Sequence, residues 1–208
     1  MDLTELEIEA LKLDPADRAP RRERELNDVD VLRGAKPESG IARMSAACPA
    51  MIRPALPAEA ELLSTLAFRS KAHWGYSAEF MEACRAELSI TASFVAQHPT
   101  FVVVHDDRPV GFYTLEALTP TETELGHLFI EPAEHGKGLG RELVAHACEE
   151  ACKRGFQVLV IQGDPNAAGF YEACGARRVG SRASASIPGR VLPLFEFQLC
   201  QPDNERRR

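Results

Sequence analysis

No stretch of this 208-residue chain comes near the ~20 consecutive apolar residues that a membrane span requires. Basic charge is also in short supply, with 24 Lys and Arg against 31 Asp and Glu and a formal net charge of −7. That balance excludes a nucleic-acid backbone as the main partner, which normally needs a basic stripe, and leaves an acidic surface friendlier to cationic small molecules. The six cysteines (Cys48, Cys84, Cys148, Cys152, Cys174 and Cys200) follow no disulfide rhythm, and no charged-then-apolar segment opens the chain. A reducing, cytoplasmic setting is the expectation. Cys148 and Cys152 stand one helical turn apart near His146, but no second Cys/His pair completes a metal set, so these thiols read as core packing and no metal is expected.

What is present is enough apolar content, 45%, to bury one full α/β core. Residues 1–50 differ from the rest, with eleven acidic and eight basic side chains followed by a Gly/Ala/Ser/Pro stretch. They read as an arm, partly helical over residues 3–13, and residues 200–208 read as a frayed tail. Between them lies the expected domain, residues 51–199. Short strands are expected at residues 51–54, 101–104 and 110–115, the last two joined as a hairpin, and a longer one at 123–130. Helical periodicity covers 57–72 and 78–88. A further amphipathic helix runs to Gly155, with Leu139, Leu143, Val144, Ala147 and Ala151 on one face. A buried strand at 158–161, a short helix at 166–174 that Asp164-Pro165 starts, a polar loop and a last strand at 191–199 complete the expectation.

The most informative segment joins the strand at 123–130 to that amphipathic helix. It reads His135-Gly136-Lys137-Gly138-Leu139-Gly140-Arg141. Glycines at alternate positions before a helix whose first amides lack internal partners make a concave, positively polarised site that suits a diphosphate. Two commoner nucleotide motifs fail on spacing. A Walker loop needs Lys followed by Ser or Thr after a longer glycine interval, whereas Lys137 precedes Gly138. The dinucleotide fingerprint needs G-x-G-x-x-G after the first strand of a βαβ unit.

The segment resembles the Q/R-x-x-G-x-G/A loop of the GNAT superfamily of N-acetyltransferases. A second segment, Asn166-Ala167-Ala168-Gly169-Phe170-Tyr171-Glu172-Ala173-Cys174-Gly175-Ala176, is similar to that family's Asn followed by F/L-Y-x-x-x-G-F/A. His135 departs from the family's Gln or Arg, and Ala176 from its more frequent Phe. The resemblance spans roughly residues 51–199. It implies an α/β fold with a mixed, mostly antiparallel central sheet, helices on both faces, and a parallel, splayed pair of strands at the cofactor site.

It also implies roles. His135, Gly136, Lys137, Gly138, Leu139, Gly140 and Arg141 would hold the diphosphate of acetyl-CoA. Backbone groups of Leu128, Phe129 and Ile130 would pair with its pantetheine arm like an added strand. Asn166 would contact the same cofactor. Tyr171 would protonate the departing thiolate, and Glu124 would be the general base, since residues 158–162 carry no carboxylate. Trp74, Tyr76 and Arg190 fall in the two segments that close over the acceptor in this fold, and Arg190 suits a carboxylate. Each of these also has a plain reading: Tyr171 as a core aromatic, Asn166 and Glu124 as solvated residues, and the three acceptor residues as ordinary packing.

The expected activity is acetyl transfer from acetyl-CoA to a primary amine of a small molecule, by direct attack in a ternary complex, with a homodimer compatible with the sequence. The alternative is a catalytically silent acyl-CoA-binding module whose N-terminal arm contacts a protein. Residues 10–19 resemble the opening of small addiction-module antitoxin components, but the leucine-rich continuation is missing.

Overall fold

The computed structural model describes residues 50–199. The expectations for residues 1–49 and 200–208, including the helix at 3–13, the antitoxin-like opening and the tail, lie outside the described residues. Among the described residues seven strands form one sheet: β1 (Met51–Pro54), β2 (Thr100–His105), β3 (Arg108–Ala117), β4 (Glu122–Ile130), β5 (Val158–Gln162), β6 (Arg177–Ala183) and β7 (Val191–Gln198), in the spatial order β1-β2-β3-β4-β5-β7-β6. Every neighbouring pair is antiparallel except β4 with β5. This is the mixed, mostly antiparallel arrangement expected, with one parallel pair.

Helices cover both faces. On one face lie α1 (Ala60–Ala72), α2 (Ala78–Ala83) and α3 (Ala92–Gln97), packed through Leu63, Leu66, Met81 and Val95 onto Val102 and Phe112. On the other lie α4 (Leu139–Lys153) and α5 (Ala168–Ala173), packed through Leu143, Ala147 and Tyr171 onto Tyr113, Leu115, Leu159 and Phe195. Strand alternation sends successive side chains into the two cores, so a single strand serves both. Cys148 is partly buried and packs against the core beneath α4, and burial pushes its thiol up to about 11.

Two elements differ from expectation. The helix expected at 78–88 ends at Ala83 and continues as turns. The apolar rhythm persists through Met81, Cys84 and Leu88, all buried, while the backbone mixes the Arg85 N to Glu82 O and Leu88 N to Cys84 O hydrogen bonds. The polar loop expected before the last strand holds β6 instead. Its residues are mostly exposed and only Val179 is large and apolar, because β6 is the edge strand and is kept from further pairing by its arginines.

The centre of the sheet is tight at Gly111, which faces Ile130 across β3 and β4. A side chain there would press on Ile130 Cδ1 and lie 3.0 Å from both the Phe129 carbonyl and Val103 Cγ1. Gly111→Ala is therefore expected to lose about 1–3 kcal/mol of stability through overpacking, read as a lower urea midpoint with an unchanged slope.

Candidate active site

The site begins where β4 leaves β5. Their pairing covers only Glu122 to Glu124 against Val158 to Val160, yet β4 runs on to Ile130 and β5 to Gln162. From Leu125 onward one edge of β4 therefore has no neighbouring strand among the described residues. Which backbone groups it offers follows from the other edge. Glu131 N donates to Val110 O at 2.8 Å, so the next facing pair, Gly111 with Ile130, turns its own N–H and C=O away from β3. Leu128, two residues back, does the same. Phe129, between them, points its amide and carbonyl at β3. Of Leu128, Phe129 and Ile130, Leu128 and Ile130 therefore turn backbone groups to the open edge, where the Ile130 carbonyl accepts from His135 Nε2.

Beyond Ile130 the chain makes one short 3-10 turn, Pro132–Glu134, and enters the glycine segment. Gly136 (φ 78°) and Gly138 (φ 86°) adopt the left-handed conformation that side chains disfavour. Gly138 is the N-cap of α4, and its carbonyl accepts the Glu142 amide at 3.1 Å. The amides of Leu139, Gly140 and Arg141 accordingly have no acceptor within the helix and lie at its positive end. Gly140 packs beneath Phe170, whose ring carbons would lie 3.2 Å from any added Cβ. Arg141 Nη1 donates to Ala173 O at 3.3 Å, and exposed Lys137 pairs with Glu134 at 3.0 Å. An open strand edge followed by a cradle of unpaired amides fits a cofactor with an amide-bearing arm and a diphosphate. His135 behaves differently from the rest of the loop. Its Nε2 donates to Ile130 O at 3.1 Å and its ring packs edge-on against His73, so the side chain turns back toward β4.

Glu124 is the last residue of β4 paired to β5, at the root of the splay. Its side chain is four-fifths buried, 19% exposed, and both carboxylate oxygens lie 3.4 Å from Arg182 Nη1 on β6. Burial pushes its carboxyl above the usual carboxylate range, Arg182 opposes the shift, and Glu116 adds to it. Glu116 is the cross-strand partner of Glu124, and its carboxylate occupies the space over Gly126 that a side chain would fill. Beside it, His127 is held by Thr114 Oγ1 at 2.9 Å and donates from Nε2 to Glu87 O at 3.1 Å.

Tyr171 lies on the other side of the sheet, 7% exposed, its ring against Phe195 and closely over Gly163 at the end of β5. Burial pushes its phenol well above the ordinary tyrosine range, with the Asp164 charge adding to the shift, so the hydroxyl stays protonated.

The two segments expected to close over the acceptor meet. Tyr76 OH donates to Asp164, 2.8 Å from each of its carboxylate oxygens, and accepts from Asn166 Nδ2 at 2.9 Å and Arg190 Nη2 at 2.8 Å. Arg190 also reaches Asp164 at 3.1 Å and lies over the rings of Tyr76 and Phe80. Burial, reinforced by the Asp164 charge, pushes the Tyr76 phenol up to about 12. Tyr76, Asn166 and Arg190 are thus brought together. Trp74 is not: it is 44% exposed, and among the described residues its one aromatic neighbour is His73.

Residues 65–176 match the acetyltransferase (GNAT) family. The chain belongs to that family. It is similar to the peptidyl-lysine N-acetyltransferase YjaB of Salmonella typhimurium, with 36% identity over 117 residues that cover 55% of this chain and 75% of the relative. Among solved structures it is similar to a GNAT protein of Rhodopseudomonas palustris (TM-score 0.62, 23% identity, 74% of this chain and 98% of the other). A second is the paia N-acetyltransferase of Thermoplasma acidophilum in complex with coenzyme A (TM-score 0.61, 18% identity, 73% and 99%). This GNAT chain is therefore an acetyl-CoA-dependent N-acetyltransferase. Among the described residues no helix is long and apolar enough to cross a membrane, and no group of His, Cys, Asp or Glu is arranged to hold a metal.

Two residues of the candidate site were not legible as such in the sequence. Asp164 reads only as a helix cap, and it does accept the Asn166 backbone amide at 3.0 Å, but it also joins Tyr76 and Arg190. Glu116 lies on a strand with no motif, and only the register of β3 against β4 places it beside Glu124.

Proposed function

We propose that the enzyme transfers the acetyl group of acetyl-CoA to the side-chain amine of a lysine in a peptide or protein, by direct attack in a ternary complex. The observation that carries this reading is Glu124, a buried carboxylate at the root of the splay, beside a second carboxylate, Glu116. An incoming ammonium meets two acids there. Glu124 takes one proton, and the neutral nitrogen attacks the thioester carbonyl, whose oxygen the open-edge amide of Leu128 is available to receive. The C–N bond forms and the C–S bond breaks. Tyr171 gives its proton to the leaving thiolate, and the nitrogen's second proton restores the hydroxyl. Gly136 and Gly138 shape the diphosphate cradle, with Leu139, Gly140 and Arg141 supplying amides and Lys137 a nearby cation.

Lysine in a peptide is favoured over the small-molecule amine by the 36% identity to a peptidyl-lysine N-acetyltransferase. The test is mass spectrometry of the purified protein with acetyl-CoA against lysine peptides, polyamines and free amino acids. The expected product is a peptide carrying one acetyl group on lysine Nε. Acetylation confined to small amines would return the acceptor to that class, and no product from any amine would overturn the activity assigned to this site.

A further inference from the structure

Asp164 has more positive charge around it than it can neutralise. Arg190 Nη2 lies 3.1 Å from its Oδ2 and Lys71 Nζ lies 3.9 Å from the same atom. The three side chains are 17%, 13% and 16% exposed for Arg190, Lys71 and Asp164. Two cations therefore share one carboxylate in a largely buried cluster. Asp164 is itself already engaged by the Tyr76 hydroxyl and the Asn166 amide. A further acid, Glu87, acts together with these three charges on Cys84, and its carboxylate accepts from the Ser186 hydroxyl.

Lys71 is the sharper anomaly. Its ammonium makes no hydrogen bond among the described residues, and its other neighbour is the Phe80 ring, 5.9 Å away. Long cationic side chains ordinarily carry their heads out to water, and holding one inside without hydrogen bonds is costly. Arg190 likewise commits only Nη2 among the described residues, leaving Nη1 and Nε without hydrogen bonds there. Unused donors on two cations, in the wall formed by the α1–α2 bend and the β6–β7 loop, are arranged for an anion.

We propose that Lys71 and Arg190 form a carboxylate subsite of the acceptor pocket, so that the preferred acceptor is a lysine with an acidic side chain close to it in sequence. This rests on the peptide-lysine reading above. The pocket is then bipolar, with Glu116 and Glu124 receiving the amine and the two cations receiving the carboxylate. Along β5 and the turn after it, Val160 beside Glu124 is four residues from Asp164, about 13 Å at the rise of an extended chain. A lysine side chain spans roughly half of that, so a neighbouring residue supplies the carboxylate better than the lysine's own backbone does.

The test compares short lysine peptides that differ only in Glu or Gln at one flanking position, scanned on both sides, with thiol release as the readout. A further pair carries a free or amidated carboxylate on the lysine itself, which separates the two sources. Wild-type enzyme is expected to show kcat/KM about tenfold to a hundredfold higher for the best Glu peptide than for its Gln twin. Lys71→Met is expected to bring that ratio down toward one, and Lys71→Glu to favour Arg at the same position instead. A wild-type ratio near one, a ratio unchanged in both variants, or a preference seen only with the lysine's own carboxylate overturns the proposal. If acetyl-CoA binds but no lysine peptide is acetylated, the peptide-lysine reading falls and this one with it, whereas equal rates for Glu and Gln peptides overturn the subsite alone.

Discussion

Glu124→Gln is expected to lower kcat by about 10²- to 10⁴-fold, the range for loss of a positioned general base, with the affinity for acetyl-CoA kept. Gln preserves shape and can still sit beside Arg182, but it cannot take the proton from the incoming ammonium. The pH dependence gives this assignment a signature. Burial holds the Glu124 carboxyl above its usual range, so the active carboxylate is lost as pH falls through that raised value, and the acid limb of kcat/KM should lie higher than an ordinary glutamate would place it. The variant should lose that limb. Stability should move the opposite way. A carboxylate whose pKa is raised by folding opposes folding at pH values above its unfolded pKa, and the opposition disappears below it. Glu124→Gln should therefore melt at or above the wild-type temperature at pH 7, with the difference shrinking as the pH is lowered. Wild-type turnover in the variant would remove Glu124 from the chemistry, and a large drop in melting temperature would make it a structural residue instead.

Local pattern made much of this architecture legible in advance. The glycine segment, the stripe of Leu139, Leu143, Val144, Ala147 and Ala151, and the cap at Asp164 are short-range features, and the structure has helices where they indicate them. Edge strand β6 was not legible, because exposed on nearly every residue it lacks the apolar alternation that announces a strand. The site divides along the same line. Glycines with positive φ and a helix N-terminus are written in consecutive residues. The pairing of Glu116 with Glu124 depends on strand register, which shifts between Thr114 and Leu115, and the meeting of Lys71, Tyr76, Asp164 and Arg190 joins residues up to 119 positions apart. Asp164 illustrates the limit: its role as cap is local and was readable, while its contacts to Tyr76 and Arg190 are tertiary and were not. His135 shows the converse, a motif position whose ring is turned toward Ile130 O and His73.

Tyr171→Phe is expected to lower kcat by at least about 10²-fold while leaving the dissociation constant for acetyl-CoA within about twofold, since only one oxygen is removed. The phenol suits a proton donor because burial holds it protonated throughout the working pH range, and a general base in the same place would be silent. Its ring is fixed by Phe195 and by the absence of a side chain at Gly163, contacts that Phe reproduces. The hydroxyl makes no hydrogen bond among the described residues and is not a fully enclosed polar atom, so no hydrogen bond is lost with it. Removing it should leave thermal stability unchanged within a degree or two, unlike the loss of a buried hydrogen bond at about 1 kcal/mol. The acid limb of the pH profile, assigned to Glu124, should survive in Tyr171→Phe and vanish in Glu124→Gln. Donors with a better thiolate leaving group need less protonation, so replacing the CoA thioester by one of a more acidic thiol should restore part of the lost rate to Tyr171→Phe and none to Glu124→Gln. Rescue of both variants, or of neither, would separate Tyr171 from the departing sulfur.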